Sequence, residues 1–272
     1  MKEITFGQYY PSNSFVHKMD ARIKILLTIA YIVSVFLVRS YHFLGFLACF
    51  SFVVITTIVA KIPFGKVLKS VKAILFFILL SAIIQILFNK NGTPLWEGGF
   101  ITDLGLLSAG FIVARITLIV LGASLLTFTT SPVEIADGIE SLMYPLKFIK
   151  FPVHEFALIM SIALRFIPTL IGETDRIIKA QKARGADFES GNILKRAKAL
   201  IPVLIPLLIS SFRRAEELAD AMDARCFAGS KNRTKYKKMK LSFRDLIGVL
   251  VLGGLITGVV FLNKFYILLM VA

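Results

Sequence analysis

Acidic residues are scarce in this chain: 17 Asp and Glu stand against 32 Lys and Arg in 272 residues. Histidine and cysteine are scarcer still. His17, His42 and His154 are scattered, and Cys49 and Cys226 lie in an apolar and a charged run respectively. Such spacing makes neither a disulfide framework nor a zinc pattern. His154-Glu155 opens like a metalloprotease motif, but the position four residues on is Leu158, so no second histidine completes it. No G-x-x-x-x-G-K-[ST] occurs, so the chain has no P-loop for ATP. The expectation is therefore no catalytic residue, no metal and no cofactor. The long apolar runs also lack the paired acids of a proton- or sodium-driven carrier.

Apolar residues are what the chain has in excess. They make up 56% of it, with a mean hydropathy of +0.77, against about 45–50% in soluble domains. Five runs are candidate membrane spans: 23–38, 43–60, 71–88, 106–130 (interrupted by Arg115) and 246–270. The N-terminal arm, up to Lys24, is polar and does not read as a cleavable signal. Its Ser14, His17 and Asp20 suit a helix cap or a pin onto the bundle rather than catalysis. Arg115 is read as a buried arginine that satisfies carbonyls or orients helices.

Two further apolar runs, 156–171 and 199–209, are not read as spans. The first carries Arg165 and Pro168, and the second is too short to cross, since about twenty residues are needed. If both crossed, the basic segment between them would face outside, against the positive-inside tendency. With five spans and an inside N-terminus, only Arg39, Lys90 and Lys264 lie outside. The net charge of +15 is then mostly a topology signal, and nucleic acid is not an expected partner. The expected architecture is all-α and polytopic. Residues 1–130 hold the arm and spans one to four, 131–245 form a cytoplasmic helical domain, and 246–272 form the fifth span.

Within 131–245, Ser131-Pro132 followed by Glu134 reads as the start of a short helix. Long helices are expected over about 153–184, with a possible bend at Pro168, and over about 193–225. Each begins apolar and finishes charged. Each also ends on the same motif, Ala180-x-x-Ala183-Arg184-Gly185 in one and Ala221-x-x-Ala224-Arg225-Cys226 in the other. The alanines leave a smooth strip for close approach, and the arginine offers a planar fork of donors to a carboxylate or carbonyl. Gly185 suits the left-handed position that ends many helices. Two copies of one docking plug point to two similar partner sites.

In combination these features resemble a known family. They are the arm Ser14-x-x-His17-x-x-Asp20-x-Arg22-x-Lys24, Thr129-Thr130-Ser131-Pro132, Arg165-Phe166-Ile167-Pro168, Ala180-x-x-Ala183-Arg184-Gly185, and Arg213-Arg214-Ala215-Glu216 leading into Ala224-Arg225-Cys226. Together, over essentially the whole chain, they resemble the transmembrane T subunit of energy-coupling factor (ECF) transporters, related to the membrane subunit of bacterial cobalt transporters. The resemblance implies a non-enzymatic component of a vitamin or micronutrient importer in the bacterial cell membrane. It implies that two ABC-type ATPases bind Ala183, Arg184, Gly185, Ala224, Arg225 and Cys226. It further implies that a small substrate-binding membrane subunit rests on the apolar faces of the same helices, here Phe156, Ile159, Leu164, Ile167, Leu204 and Leu207. Cys226 departs from the family's glycine, which puts the second cap in question if that position needs positive φ; Gly229 could supply the turn instead. The rivals are a self-sufficient carrier or channel, which needs a polar intramembrane pathway beyond Arg115, and a membrane-embedded enzyme, which needs a surface cluster of acids or histidines.

Overall fold

The computed structural model describes residues 9–38, 43–89, 92–93, 102–149, 152–188, 192–227, 229 and 242–271. Most of these residues are helical, with no β-strand among them. The helices are α1 (Ala21–Leu37), α2 (Phe43–Val59), α3 (Phe64–Phe88), α4 (Asp103–Thr129), α5 (Pro132–Leu142), α6 (Val153–Ala183), α7 (Ile193–Asp223) and α8 (Phe243–Val271), with a 3-10 segment at Tyr144–Ile149. Four of them are long and apolar enough to cross a membrane by length and composition: α3, α4, α6 and residues 243–264 of α8. α2 is a shorter apolar helix of 17 residues, and α1 has the same length. By those criteria α6 qualifies although its arginine and proline argued against a span.

The chain divides into two compact units, residues 7–141 with 239–272, and 142–238. In the first, α1, α2, α4 and α8 surround a core of Tyr31, Val35, Val38, Phe46, Cys49, Val53, Leu118, Leu121, Leu125, Phe128, Leu252 and Val259. Tyr31 is its centre: its hydroxyl reaches the carbonyls of Cys49 and Leu118, each at 3.4 Å, and its ring stacks on Phe52. Gly122 lets α4 come this close, because a Cβ there would stand 2.2 Å from the Tyr31 ring. α3 pairs with α4 along its length and begins at Phe64, seven residues before the expected span. Val67 is buried there and Lys66 and Lys69 are exposed, so one face of the charged stretch packs while the other stays polar.

Both ends of this unit are pinned by polar contacts. Asp20 caps α1, accepting from the Arg22 amide at 3.0 Å, as the arm's spacing anticipates. Lys24, 5% exposed, donates to the carbonyls of His17 at 3.0 Å and Thr129 at 3.1 Å, setting a cation at the negative end of α4. The Tyr10 amide takes the neighbouring Phe128 carbonyl at 3.0 Å. The buried Asp245 carboxylate accepts from the amides of Asp20 at 2.9 Å and Ser242 at 2.7 Å. The start of α1, the end of α4 and the start of α8 therefore share one face of the bundle. At the opposite end of α1, Asn263 donates to the Leu37 carbonyl at 2.7 Å and Arg115 to that of Val38 at 2.6 Å. Arg115 also lies 5.6 Å from the Phe46 ring centroid, and its bond to the Val38 carbonyl fits an arginine that satisfies a helix-end carbonyl.

Ser131 and Glu134 cap α5 reciprocally: each amide bonds the other's side chain at 3.3 Å, with Pro132 in the first turn. α5 belongs with the spans rather than with 142–238, so the division falls after it. A Cβ at Gly138 would stand 3.0 Å from Ile25 and 3.3 Å from Ala21, which shows how tightly α5 lies on α1.

Candidate coupling site

α6 and α7 form the second unit with the 3-10 segment. Both run 31 residues, about 46 Å at 1.5 Å per residue, and both continue through their prolines, Pro168 in α6 and Pro202 and Pro206 in α7. Their relative direction follows from side-chain contacts. Glu173 of α6 meets Ser210 and Arg214 of α7, the latter at 3.0 Å, while Ile162 and Phe166 share a groove with Ala215, Leu218, Ala219 and Met222. Moving towards the start of α6 thus means moving towards the end of α7. The helices cross antiparallel, and their two motif-bearing tips point away from each other.

The tips are built alike. At the end of α6 the Gly185 amide bonds the Lys182 carbonyl at 3.0 Å and the Ala186 amide bonds that of Gln181 at 2.9 Å. At the end of α7 the Cys226 amide bonds the Asp223 carbonyl at 2.9 Å and the Phe227 amide bonds that of Met222 at 3.1 Å. Both are Schellman caps, in which the residue after the cap takes left-handed backbone. Gly185 has φ +88° and Cys226 φ +55°, so the cysteine occupies the very position where glycine is preferred. Gly229 is also left-handed, at φ +79°, but lies beyond this cap and does not relieve it. Arg184 and Arg225 are the equivalent capping residues. Ala183, Arg184, Gly185, Ala224, Arg225 and Cys226 are all exposed, and a Cβ at Gly185 would meet nothing within 4 Å. The repeat in the sequence is a repeat in three dimensions.

The apolar positions divide between two places. Phe156, Ile159 and Ile167 are exposed on α6 and Leu204 on α7, whereas Leu164 and Leu207 are half-buried. The antiparallel crossing sets Leu204 and Leu207 on the Arg184 side of Glu173, and the four α6 residues on the Arg225 side. Exposed apolar side chains are denser on α7 than the sequence choice suggested, with Leu200, Ile201, Ile205, Leu208, Ile209 and Phe212 joining Leu204. Sequence reading also missed Glu173 and Ser210. The first carboxylate after the apolar half of α6, where the charged half begins, was the available signal.

Within the arm, His17 ties Tyr10 and Ser14 together. Its Nε2 lies 2.9 Å from the Tyr10 carbonyl and its Nδ1 2.7 Å from the Ser14 hydroxyl. A neutral ring that donates from Nε2 and accepts at Nδ1 satisfies both contacts. Burial pushes its pKa below the usual histidine value, while the Tyr10 carbonyl works in the opposite direction. No group of three or more potential metal ligands occurs among the described residues, and His154 stands edge-on to the Tyr144 ring.

The sequence profile of the cobalt transport protein family, CbiQ, matches residues 12–236. The energy-coupling factor transporter transmembrane protein EcfT of Clostridium kluyveri is 48% identical over 253 residues, covering 92% of this chain and 93% of its own. The protein of the same name from Ruminiclostridium cellulolyticum is 48% identical over 272 residues, covering 99% and 98%. That of Bacillus subtilis is 41% identical over 261 residues, covering 94% and 98%. Since the profile covers most of the chain and these relatives are 41–48% identical over 92–99% of it, this multi-pass membrane chain belongs to the family of energy-coupling factor transporter transmembrane proteins.

Proposed function

We propose that this chain transmits the work of two ABC-type ATPases to a separate, small substrate-binding membrane subunit that imports a vitamin or other micronutrient. As the transmembrane component of such a transporter it is not an enzyme; ATP hydrolysis belongs to its partners. Arg184 and Arg225 each plug an acidic groove on one ATPase, flanked by the smooth surface of Ala183 and Ala224. Nucleotide-driven closure of the ATPases moves the tips, and the apolar stretches of α6 and α7 carry that motion to the substrate-binding subunit. The chain sits in the bacterial cytoplasmic membrane with its N-terminus inside, and residues 142–238 lie on the cytoplasmic side. The concentration of basic residues between α4 and α8 supports that placement.

The observation that carries this reading is the matched pair of exposed Schellman caps, each presenting an arginine at the same place. Pull-down of the ATPases with Arg184→Ala, Arg225→Ala and the double variant tests it. Losing one partner of a buried charge pair costs about 2–5 kcal/mol, or roughly 30-fold to several-thousand-fold in one contact. Each single variant should stay tethered through the other helix, transport should fall sharply, and the double variant should release the ATPases. Arg→Lys should rescue only in part, because a point charge does not reproduce a two-pronged contact. Normal assembly and uptake in the double Ala variant would overturn the proposal.

A further inference from the structure

Glu173 holds α7 with both carboxylate oxygens: one accepts from the Ser210 hydroxyl and the other from Arg214 Nη2 at 3.0 Å. Ser210 and Arg214 are four residues apart, on one face of α7. The site is only partly buried, with side-chain exposures of 23% for Glu173 and 36% for Arg214. An ion pair this accessible adds little to stability, so its usefulness lies in where it stands. Arg184 follows Glu173 by eleven residues, and Arg225 follows Arg214 by eleven. Each arginine therefore lies about 16 Å from the clamp along its own helix, in opposite directions because the helices are antiparallel.

We propose that the Glu173–Ser210–Arg214 clamp is the pivot on which α6 and α7 turn against each other, and that its equal distance from the two arginines makes the two ATPase contacts swing through equal arcs. The inference rests on the coupling role given above and adds the positioning residues for it. Directional hydrogen bonds fix one point on each helix, whereas the neighbouring contacts can slip. Beside the clamp, Ile162 and Phe166 face Ala215, Leu218, Ala219 and Met222 across a groove rather than an interlocked seam. Apolar contacts have no preferred direction, and the small alanines offer no knob to catch. A rotation centred on the clamp leaves its bonds intact while shearing the apolar contacts. A rotation centred elsewhere breaks them.

The centre of rotation is measurable. In the assembled transporter, with its native cysteines exchanged by Cys49→Ala and Cys226→Gly, three spin-labelled cysteine pairs are compared without nucleotide and with ATP. The pairs are Asp175→Cys with Arg213→Cys at the clamp, Lys179→Cys with Asp220→Cys six residues out on each arm, and Lys182→Cys with Asp223→Cys nine residues out. The clamp pair should stay fixed. The outer pair should change by about 1.5 times as much as the middle pair, in proportion to distance along the helices. Glu173→Ala should broaden the outer distances and cut their nucleotide-dependent change at least about twofold, with the ATPases still bound, and Glu173→Arg with Arg214→Glu should restore it, in keeping with an energetic coupling worth fivefold or more. A change centred away from the clamp, or one indifferent to Glu173→Ala, overturns the pivot alone. Bound ATPases with no nucleotide-dependent change at any pair overturn the coupling reading and the pivot with it.

Discussion

The two tips differ by one residue at a position of known backbone cost, so exchanging those residues measures that cost within a single chain. Cys226 sits at φ +55° with a side chain, and Gly185 at φ +88° without one. Left-handed backbone costs an L-residue about 1–2 kcal/mol. Glycine returns about 0.4–1 kcal/mol of that through the greater freedom of its unfolded chain. Cys226→Gly should therefore tighten the α7 cap by about 0.5–1 kcal/mol, and Gly185→Cys should loosen the α6 cap by a similar amount. Open space around the Gly185 Cβ position means that no steric collision adds to the second figure. The reporters are the amides of Phe227, bonded to the Met222 carbonyl, and Ala186, bonded to that of Gln181. Their hydrogen exchange follows local opening of the cap. With about 1.4 kcal/mol per tenfold, Cys226→Gly should slow Phe227 about two- to fivefold and leave Ala186 unchanged; Gly185→Cys should speed Ala186 by the same factor and leave Phe227 unchanged. If Cys226→Gly left Phe227 as it was, or hastened it, the attribution of strain to this position would be wrong.

Lys24→Met should lower the thermal midpoint in detergent, at a cost of about 2–4 kcal/mol, because two carbonyls lose charge-assisted bonds in a buried place; an unchanged midpoint would show that the arm does not fasten the bundle. His17 has its folded pKa depressed below the unfolded value, so the unfolded chain binds the extra proton more readily and stability falls as pH drops through the unfolded value and on to the folded one. Acidification from pH 7 to pH 5 should thus destabilise the native chain more than a His17→Gln variant, read by thermal unfolding at each pH. A single cysteine at Lys182 should resist an impermeant thiol reagent on intact cells and react after permeabilisation; reaction on intact cells would refute the proposed cytoplasmic side.

Much of this was legible in the sequence because the determining signals are local. The capping box at Ser131 and Glu134, the Asp20 cap and both helix tips are written within a few residues of where they act. Cys226 shows the strength of such signals, since the second motif forms the same cap as the first despite a residue that disfavours it. Register between distant elements was not legible. Nothing near Glu173 announces that Ser210 and Arg214 will lie beside it, and the antiparallel crossing separates apolar runs that composition alone treats as one class. The start of α3 was hidden for another reason. A hydropathy average over 61–72 sees four lysines but not that Val67 and Val71 turn together towards the core. The sequence-based boundary between the 131–245 helical domain and the last span falls at residue 245, yet Asp245 is 3% exposed and ties the start of α8 to the start of α1.

The reach of α1 has a consequence for the lipid around it. Its 17 residues rise about 25 Å, and it stops where Asn263 and Arg115 take its last carbonyls. α4 ends level with the first turn of α1 at the Lys24–Thr129 contact and spans about 40 Å over its 27 residues. At α1 the bundle is thus about 5 Å shorter than the roughly 30 Å hydrocarbon layer, whereas α4 packed beside it is longer. Bilayer beside α1 must thin or expose its edge, at fractions of a kcal/mol per Å. Hydrophobic mismatch accordingly sets the exposed face of α1 apart from its surroundings for anything else dissolved in the membrane, before any specific contact forms.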